Sequence, residues 1–453
     1  MSKPKYVARN INDLKDMLEQ TTALHSDYEA FIKKSKDVYV GVTYKKYKED
    51  VFALGTELLK FNINDEKVII LSEPRYEACA TFMAVACGGG IVVSLPLDLT
   101  ENEIISKINE LKAKYIVFSE KYRNLVKGII AKCESLEKGI DLDTVLDDEY
   151  NFSFLKLIES GNKCIQNGDN SYAKLVVDKE SIASLFTSNK KENFVMLSHK
   201  NFSASIMEMV SIFPLNASEK TINLTPFSNI YELIYNFLMI LYVGGTICFY
   251  EEDKSVAELL REFHPTLITF SPEGFDEFYK ELWESVGNMP NIRKTKLLMI
   301  ISDILRKFNI DIRRKLFNNI FDSLGEELNK IIVCNGNSRA EKLKEVNTLG
   351  IKSFYGYSII KATSIITLNK VDNLKEKSIG IPLPEVQMVV NNTNGGVGEI
   401  LLKGDFVMSG YYNDKKETSL SVKDGWLHTG DVGYRDKQGS FILTGRKKHK
   451  IKR

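Results

Sequence analysis

Neither sign of charge is in excess in this 453-residue chain, where 61 lysines and arginines face 60 aspartates and glutamates for a formal net charge of +1. That balance offers no basic field for nucleic acid and no acidic tail, so partners must follow from local sites. Paired cysteines are missing as well. Cys79, Cys87, Cys133, Cys164, Cys248 and Cys334 are scattered with no C-x-x-C pair, which argues against a disulfide framework or a zinc site and leaves several of them as small apolar fillers. The N-terminal stretch MSKPKYVARNINDLKDMLEQ has no apolar core ahead of a cleavage site. No secretory signal is therefore expected, and the expected compartment is the reducing cytoplasm. Low-complexity tracts and short-period repeats are also absent.

Two uncharged stretches stand out, ACATFMAVACGGGIVVSLPL and LIYNFLMILYVGGTICFY. Consecutive glycines interrupt each, and the composition then turns β-branched, which reads as buried helix, tight turn and buried strand rather than a transmembrane span. Peripheral contact with lipid stays open. The alternation of KVIIL, helix, GIVVSLPL, helix and YIVFS predicts βαβ units and a mostly parallel sheet, and VAELLREF, TLITFS and KIIVCNG continue the pattern. Beyond about Leu374 short strands alternate with turn signals such as NTNGGVG and DKQGS.

The predicted fold class is α/β: two doubly wound subdomains followed by a small β-rich subdomain in the manner of a distorted barrel. The expected units are 1–180, 181–374 and 375–446, with the start of a hinge at 447–453. The polar segment Lys138–Lys174 reads as a surface excursion linking the first two units.

The C-terminal text GWLHTGDVGYRDKQGSFILTGRKKHKIKR carries the most chemistry. Asp431 follows one Thr-Gly turn and Arg446 another, with a DKQG turn between two strands to bring them together. A carboxylate can accept both hydroxyls of a ribose, and a guanidinium adds directed donors. Taken singly, each is equally an ordinary surface charge beside a turn.

As a whole the string resembles the AMP-forming acyl-CoA synthetases, whose signature runs Gly-Trp-x-x-Thr-Gly-Asp, Asp-x-x-Gly and Gly-Arg-x-Lys. Gly425, Trp426, Thr429, Gly430, Asp431, Asp436, Gly439, Gly445, Arg446 and Lys448 match it. Gly398, Glu399, Gly404, Gly410, Tyr411 and Thr418, with Gly380 and Pro382, match the text upstream. EPRYEACATFMAV and DLTENEI look most like the long-chain fatty acid branch. The resemblance implies ATP-dependent conversion of a carboxylate to an acyl-adenylate, followed by thioester formation with coenzyme A. It implies fatty acid, ATP and CoA as small-molecule partners, and Mg2+ between the phosphates. Asp431 would hold the ribose, Arg446 would assist, and Lys448 would lie at the hinge of a C-terminal lid that this sequence, ending at Arg453, does not include. Further nucleotide contacts are expected at Tyr355, Gly356, Ser358, Gly336, Thr187 and Ser188. No catalytic residue is assigned.

Several positions depart from that pattern. Thr187, Ser188, Val195, Met196, Leu197, Ser198 and His199 match a phosphate-loop region, yet Asn189–Phe194 contains no glycine. Backbone N–H groups wrap a phosphate only where the chain can take open or left-handed conformations, which glycine permits cheaply. Lys190 and Lys191 offer either a point charge or a solvated hairpin tip. Ile359 stands where the family's Tyr-Gly-x-Thr-Glu has a magnesium-binding glutamate, and isoleucine supplies no oxygen. Ser228 and Asn229 replace two histidines in PFSNIYE, where Tyr231 and Glu232 are retained, and Asn335 and Asn337 intrude into VCNGNS around Gly336. Three readings follow: a ligase with a diverged ATP site, a pseudoenzyme that keeps the fold and binds nucleotide or acyl chain without adenylation, or a peripheral membrane or scaffold protein that uses its acyl tunnel for lipid alone, against which Asp431 and Arg446 argue.

Overall fold

Several helix starts in this chain are set by side-chain caps. The computed structural model describes residues 4–35, 38–187, 193–250, 254–287, 292–308, 310–335, 339–363, 365–370, 377–392 and 396–447. Thr43 accepts from the Lys46 amide ahead of helix Tyr44–Lys60, and Thr100 with Glu103 closes a capping box ahead of Glu101–Leu111. Ser198 does the same with Asn201 ahead of His199–Val210.

Both glycine-interrupted stretches fold as helix, turn and strand. In the first, helix Tyr76–Ala86 leads through Gly89, at φ +83°, to strand Ile91–Ser94. In the second, the π-helical Glu232–Leu238 runs into Met239–Val243, turns at Gly244, at φ +82°, and enters strand Thr246–Cys248. Such φ values suit glycine alone at low cost. Among the described residues, no helix is long and apolar enough to cross a membrane.

Among the described residues, three sheets organise the chain. An eight-stranded sheet runs in the order 410–411, 195–198, 182–186, 91–94, 67–71, 115–118, 138–141, 151–153. It is parallel from 182–186 to 151–153 and antiparallel at its other edge. Strands Ile91–Ser94 and Tyr115–Phe118 are buried at every residue, as a sheet covered on both faces requires. A four-stranded sheet orders 220–222, 246–248, 29–35 and 38–43. The third, of ten strands, is parallel through 267–270, 330–334 and 352–356, then antiparallel through 367–370, 378–382, 441–446, 426–435, 398–403 and 387–391, with 422–423 pairing off this path to 426–435.

The α/β class and the late antiparallel strands match the sequence reading, whereas strand membership crosses the expected unit boundaries. Strands 182–186 and 195–198 complete the first sheet, with Ser184 opposite Val92. Strands 29–35 and 38–43 belong instead with 246–248, where Phe31 pairs with Ile247. The antiparallel strands extend the sheet begun at 267–270, and among the described residues their path ends openly at 387–391 rather than closing into a barrel. A strand joins the edge that buries its apolar face, and local composition does not record which edge that is.

The stretch 138–174 also differs from the expected excursion. It supplies strands Lys138–Asp141 and Asn151–Ser153 and helix Phe154–Gln166, whose Phe154, Leu157 and Ile158 are buried. Gly161 lets that helix lie directly on helix Tyr44–Lys60: a Cβ at 161 would sit 1.9 Å from the Ala53 carbonyl oxygen.

Candidate functional site

Two neighbouring parallel strands end side by side, and both carry their chains into one cleft of about 240 Å³. Gly356, last in strand Lys352–Gly356, pairs with Cys334, last in Lys330–Cys334. The residues that follow, Asn335 on one strand and Tyr357, Ser358 and Ile359 on the other, line the cleft. This is the carboxyl end of parallel strands, where open α/β sheets bind ligands.

The third wall is the hairpin of strands Trp426–Arg435 and Phe441–Arg446. Its turn is tied by Asp436, whose carboxylate accepts from the Gln438 and Ser440 amides at 2.8 and 3.0 Å. The resulting register sets Asp431 opposite Arg446. Arg446 Nε lies 3.6 Å from Asp431 Oδ1, and the Tyr357 hydroxyl donates to Asp431 Oδ2. Burial, reinforced by Asp431, pushes the Tyr357 phenol well above its ordinary range, so it remains a donor.

Opposite this pair, Asn335 takes a left-handed conformation with φ 55°. Its Oδ1 accepts from the Ser358 amide at 2.9 Å and its Nδ2 donates to the Tyr231 hydroxyl at 3.4 Å. Ser358 Oγ is buried without a hydrogen-bond partner, although the Tyr231 hydroxyl is near enough to feel it. Gly356 is irreplaceable at this corner, because a Cβ would come within 2.3 Å of the Thr367 carbonyl oxygen. A carboxylate beside a guanidinium, an amide and a free hydroxyl can hold a polyol and a neighbouring heterocycle or phosphate.

Five of the residues expected at a nucleotide site therefore meet in one cleft: Asp431, Arg446, Tyr355, Gly356 and Ser358. Tyr355 serves as floor, since its hydroxyl donates to the Ser378 carbonyl at 3.1 Å. Thr187 is buried after strand Ile182–Phe186 and does not line the cleft. Ser188, Gly336 and Lys448 lie outside the described residues, as do Asn189–Glu192 and Asn337.

Three residues join the site without having been singled out for it. Tyr357 occupies the variable position of Tyr-Gly-x-Thr-Glu, and Asn335 reads in the sequence only as an intrusion. Glu399 is the third. Its carboxylate accepts from the Gly430 amide at 3.1 Å, His428 Nδ1 at 2.8 Å and Lys447 Nζ at 2.8 Å. Burial works against that charge, yet Lys447 and His428 outweigh it and hold the group below the usual carboxylate range. Glu399 thereby fixes the turn before Asp431 and the residue after Arg446; its match to the family's Gly-Glu string is the signal that marks it.

Asp431 is the one carboxylate among the described residues that line the cleft, and Tyr357 and Arg446 both engage it. Ile359 lines the cleft with no donor atom. These residues do not fit a cation that favours several hard oxygens.

Glu232, in the retained Tyr-Glu pair, is enclosed by the Leu224 amide at 2.8 Å, Thr225 Oγ1 at 3.2 Å and Asn236 Nδ2 at 3.0 Å. Burial outweighs these bonds and raises it to about 7. Glu208 is raised to about 7 by burial and by Glu385, whose amide nonetheless donates to it at 2.6 Å. The unfolded chain releases these protons near the ordinary value of 4.5 while the folded chain keeps them, so their contribution is full below that value and falls as pH rises towards 7. Melting temperature is accordingly expected to drop between about pH 5 and about pH 8, with a shallower slope in Glu232→Gln. Equal slopes for variant and wild type would refute that assignment.

Comparison with known proteins agrees with the geometry. A family model described as AMP-binding enzyme matches residues 18–412. The chain belongs to the AMP-binding enzyme family. Among curated members, Long-chain-fatty-acid–CoA ligase 1 of Cavia porcellus is 24% identical over 459 residues, covering 93% of this chain and 64% of that protein. The Long-chain-fatty-acid–CoA ligase of an Escherichia coli strain is 23% identical, covering 97% and 77%. Probable 4-coumarate–CoA ligase 3 of Dictyostelium discoideum is 26% identical, covering 91% and 74%. This AMP-binding enzyme chain thus spans about two thirds to three quarters of their lengths. Among solved structures, the N-terminal domain of FACL13 from Mycobacterium tuberculosis superposes with a TM-score of 0.76 at 15% identity, covering 96% of this chain and 100% of that one. A long-chain-fatty-acid-CoA ligase from Archaeoglobus fulgidus gives 0.78 at 16% identity, covering 99% and 86%. These structures establish the shared fold.

Proposed function

We propose that this AMP-binding family member is the nucleotide- and acyl-binding large domain of an ATP-dependent acid–thiol ligase acting on long-chain fatty acids. The observation that carries the reading is the Asp431–Arg446 pair facing Asn335 and Ser358 across one cleft at the ends of parallel strands. In the proposed reaction a substrate carboxylate oxygen attacks the α-phosphorus of ATP and pyrophosphate leaves. The thiolate of coenzyme A then attacks the acyl carbon and AMP leaves. Asp431 accepts the ribose hydroxyls, with Arg446 as the adjacent donor. Asn335 and Ser358 hold the opposite side of the nucleotide, and a hinge at Lys448 turns a lid carried by further sequence. Fatty-acid-dependent exchange of pyrophosphate into ATP, measured on a chain that includes the lid, tests the reaction. No exchange with any long-chain acid would sink it.

A second reading, binding without adenylation, is favoured by one observation: Ile359 sits in the cleft in place of a metal-binding carboxylate. Ile359→Glu is expected to make ATP affinity magnesium-dependent, with a gain of about tenfold over wild type in magnesium. Calorimetric titration with and without the ion reads this directly. An Ile359→Glu variant as indifferent to magnesium as the wild type would mean that this position does not face the phosphates.

A further inference from the structure

Five of the six cysteines are buried in the apolar core, and Cys164 alone is not. It sits in a polar cluster where helix Phe154–Gln166 crosses helix Tyr44–Lys60. Lys60 Nζ donates to Cys164 Sγ at 3.1 Å. A single carboxylate oxygen, Glu57 Oε1, accepts from Lys60 Nζ at 2.6 Å, Ser160 Oγ at 2.9 Å and Cys164 Sγ at 3.4 Å. Glu57 is only 7% exposed. An amine, a thiol and a proton acceptor common to both thus meet at one point.

An ordinary ion pair on one helix accounts for Lys60 and Glu57, but not for the thiol set against the amine. That contact is made by the crossing. Ser160 and Cys164 lie one turn apart on one helix, as do Glu57 and Lys60 on the other, so each pair shares a face. The close backbone approach at Gly161 presses the two faces together. An open cleft of about 420 Å³, lined by Glu57, Ser160 and Lys163 among others, leads to the cluster from solvent. A small oxidant can enter there, whereas the other five thiols are covered.

We propose that Cys164 and Lys60 form a reversible covalent cross-link, a sulfenamide, when the protein meets hydrogen peroxide. In the first step the thiol proton passes to Glu57 and the sulfur attacks one peroxide oxygen. The S–O bond forms, the O–O bond breaks, and hydroxide leaves as water with the proton from Glu57; sulfur is oxidised to the sulfenic acid and peroxide is reduced. In the second step Lys60 gives up a proton through Glu57 to solvent, and its nitrogen attacks the same sulfur. The N–S bond forms, the S–O bond breaks, and hydroxide leaves as water with a second proton from nitrogen. The bond joins residues 104 positions apart and ties the two helices at their crossing, so it removes conformations from the unfolded chain as a disulfide would. The chemistry needs neither nucleotide nor acyl transfer, so it stands or falls apart from the ligase reading.

Peptide mass spectrometry after treatment with hydrogen peroxide is the experiment, run on the wild type, Lys60→Arg and Cys164→Ser. In the wild type the tryptic peptides holding Lys60 and Cys164 are expected to appear joined, at their summed mass less two hydrogens, and to separate on adding dithiothreitol. Oxidation should raise the melting temperature by several degrees in the wild type alone. Arginine keeps the positive charge beside Glu57 but is no amine nucleophile, and the Lys60 side chain is 46% exposed, so Lys60→Arg should melt as the untreated wild type does. In that variant the sulfenic acid is expected to persist and to be captured by dimedone. Three results would each overturn the inference: a Cys164 that peroxide leaves unmodified, dimedone labelling of Cys164 as complete in the wild type as in Lys60→Arg, or a cross-link that joins Cys164 to Lys163 in place of Lys60.

Discussion

Asp431→Ala is expected to lower the affinity for AMP and ATP by about a hundredfold in calorimetric titration, the loss that follows when a charged acceptor of two hydroxyl bonds is removed. The carboxylate is placed by four separate features. The Asp436 turn sets the hairpin register, the Thr429 hydroxyl accepts from the Asp431 amide at 3.0 Å, Glu399 pins the Gly430 amide, and Tyr357 and Arg446 reach the side chain itself. Alanine also leaves the Tyr357 hydroxyl, in a side chain only 6% exposed, without its acceptor, at a cost of about 1–2 kcal/mol in stability. Asp431→Asn separates the two effects. It keeps an oxygen for Tyr357 and so keeps the fold, but it withdraws the negative charge from the ribose. Nucleotide affinity within about twofold of wild type in both variants would remove Asp431 from the binding site altogether.

The largest expected loss of stability lies far from the cleft. Gly161→Ala places a methyl group 1.9 Å from a backbone oxygen of Ala53, and neither helix can yield by rotating a side chain. The two helices must separate, which costs about 3 kcal/mol. Gly168 is the control. Its φ of +96° strains any other residue, yet a Cβ there meets nothing within 4 Å, so Gly168→Ala is expected to cost only about 1 kcal/mol. Urea midpoints with unchanged slopes read both. If Gly161→Ala proves no worse than Gly168→Ala, the close helix crossing is not present in solution.

The parts of the site that were legible in the sequence are those with local causes. Asp431 and Arg446 are brought together by a turn and two flanking strands contained within a single short stretch. Asn335 and Tyr357 were not legible, because each owes its place to the pairing of Lys330–Cys334 with Lys352–Gly356 and to Asp431 far along the chain. Nothing in the residue types of ELIYNFL distinguishes a π-helix from an α-helix, and the wider turn appears only with the packing around it. Sheet membership failed for the same reason at strands 29–35 and 182–186. The Gly161 crossing depends on a helix that polar composition had assigned to the surface.

The pairing of Phe31 with Ile247 bears on how the protein is made. At a synthesis rate of about 5–20 residues per second, the early hairpin 29–43 waits roughly ten to forty seconds on the ribosome before its partner strand emerges. During that interval strand 29–35 presents one unpaired edge, and two of the rings that later cover Phe31, Phe237 and Phe249, do not yet exist. Lys33 and Lys34 lie on that strand, and charge of one sign on a waiting edge discourages pairing with another nascent chain. The order of strands in the finished sheet thus leaves the first forty residues waiting on synthesis of the next two hundred.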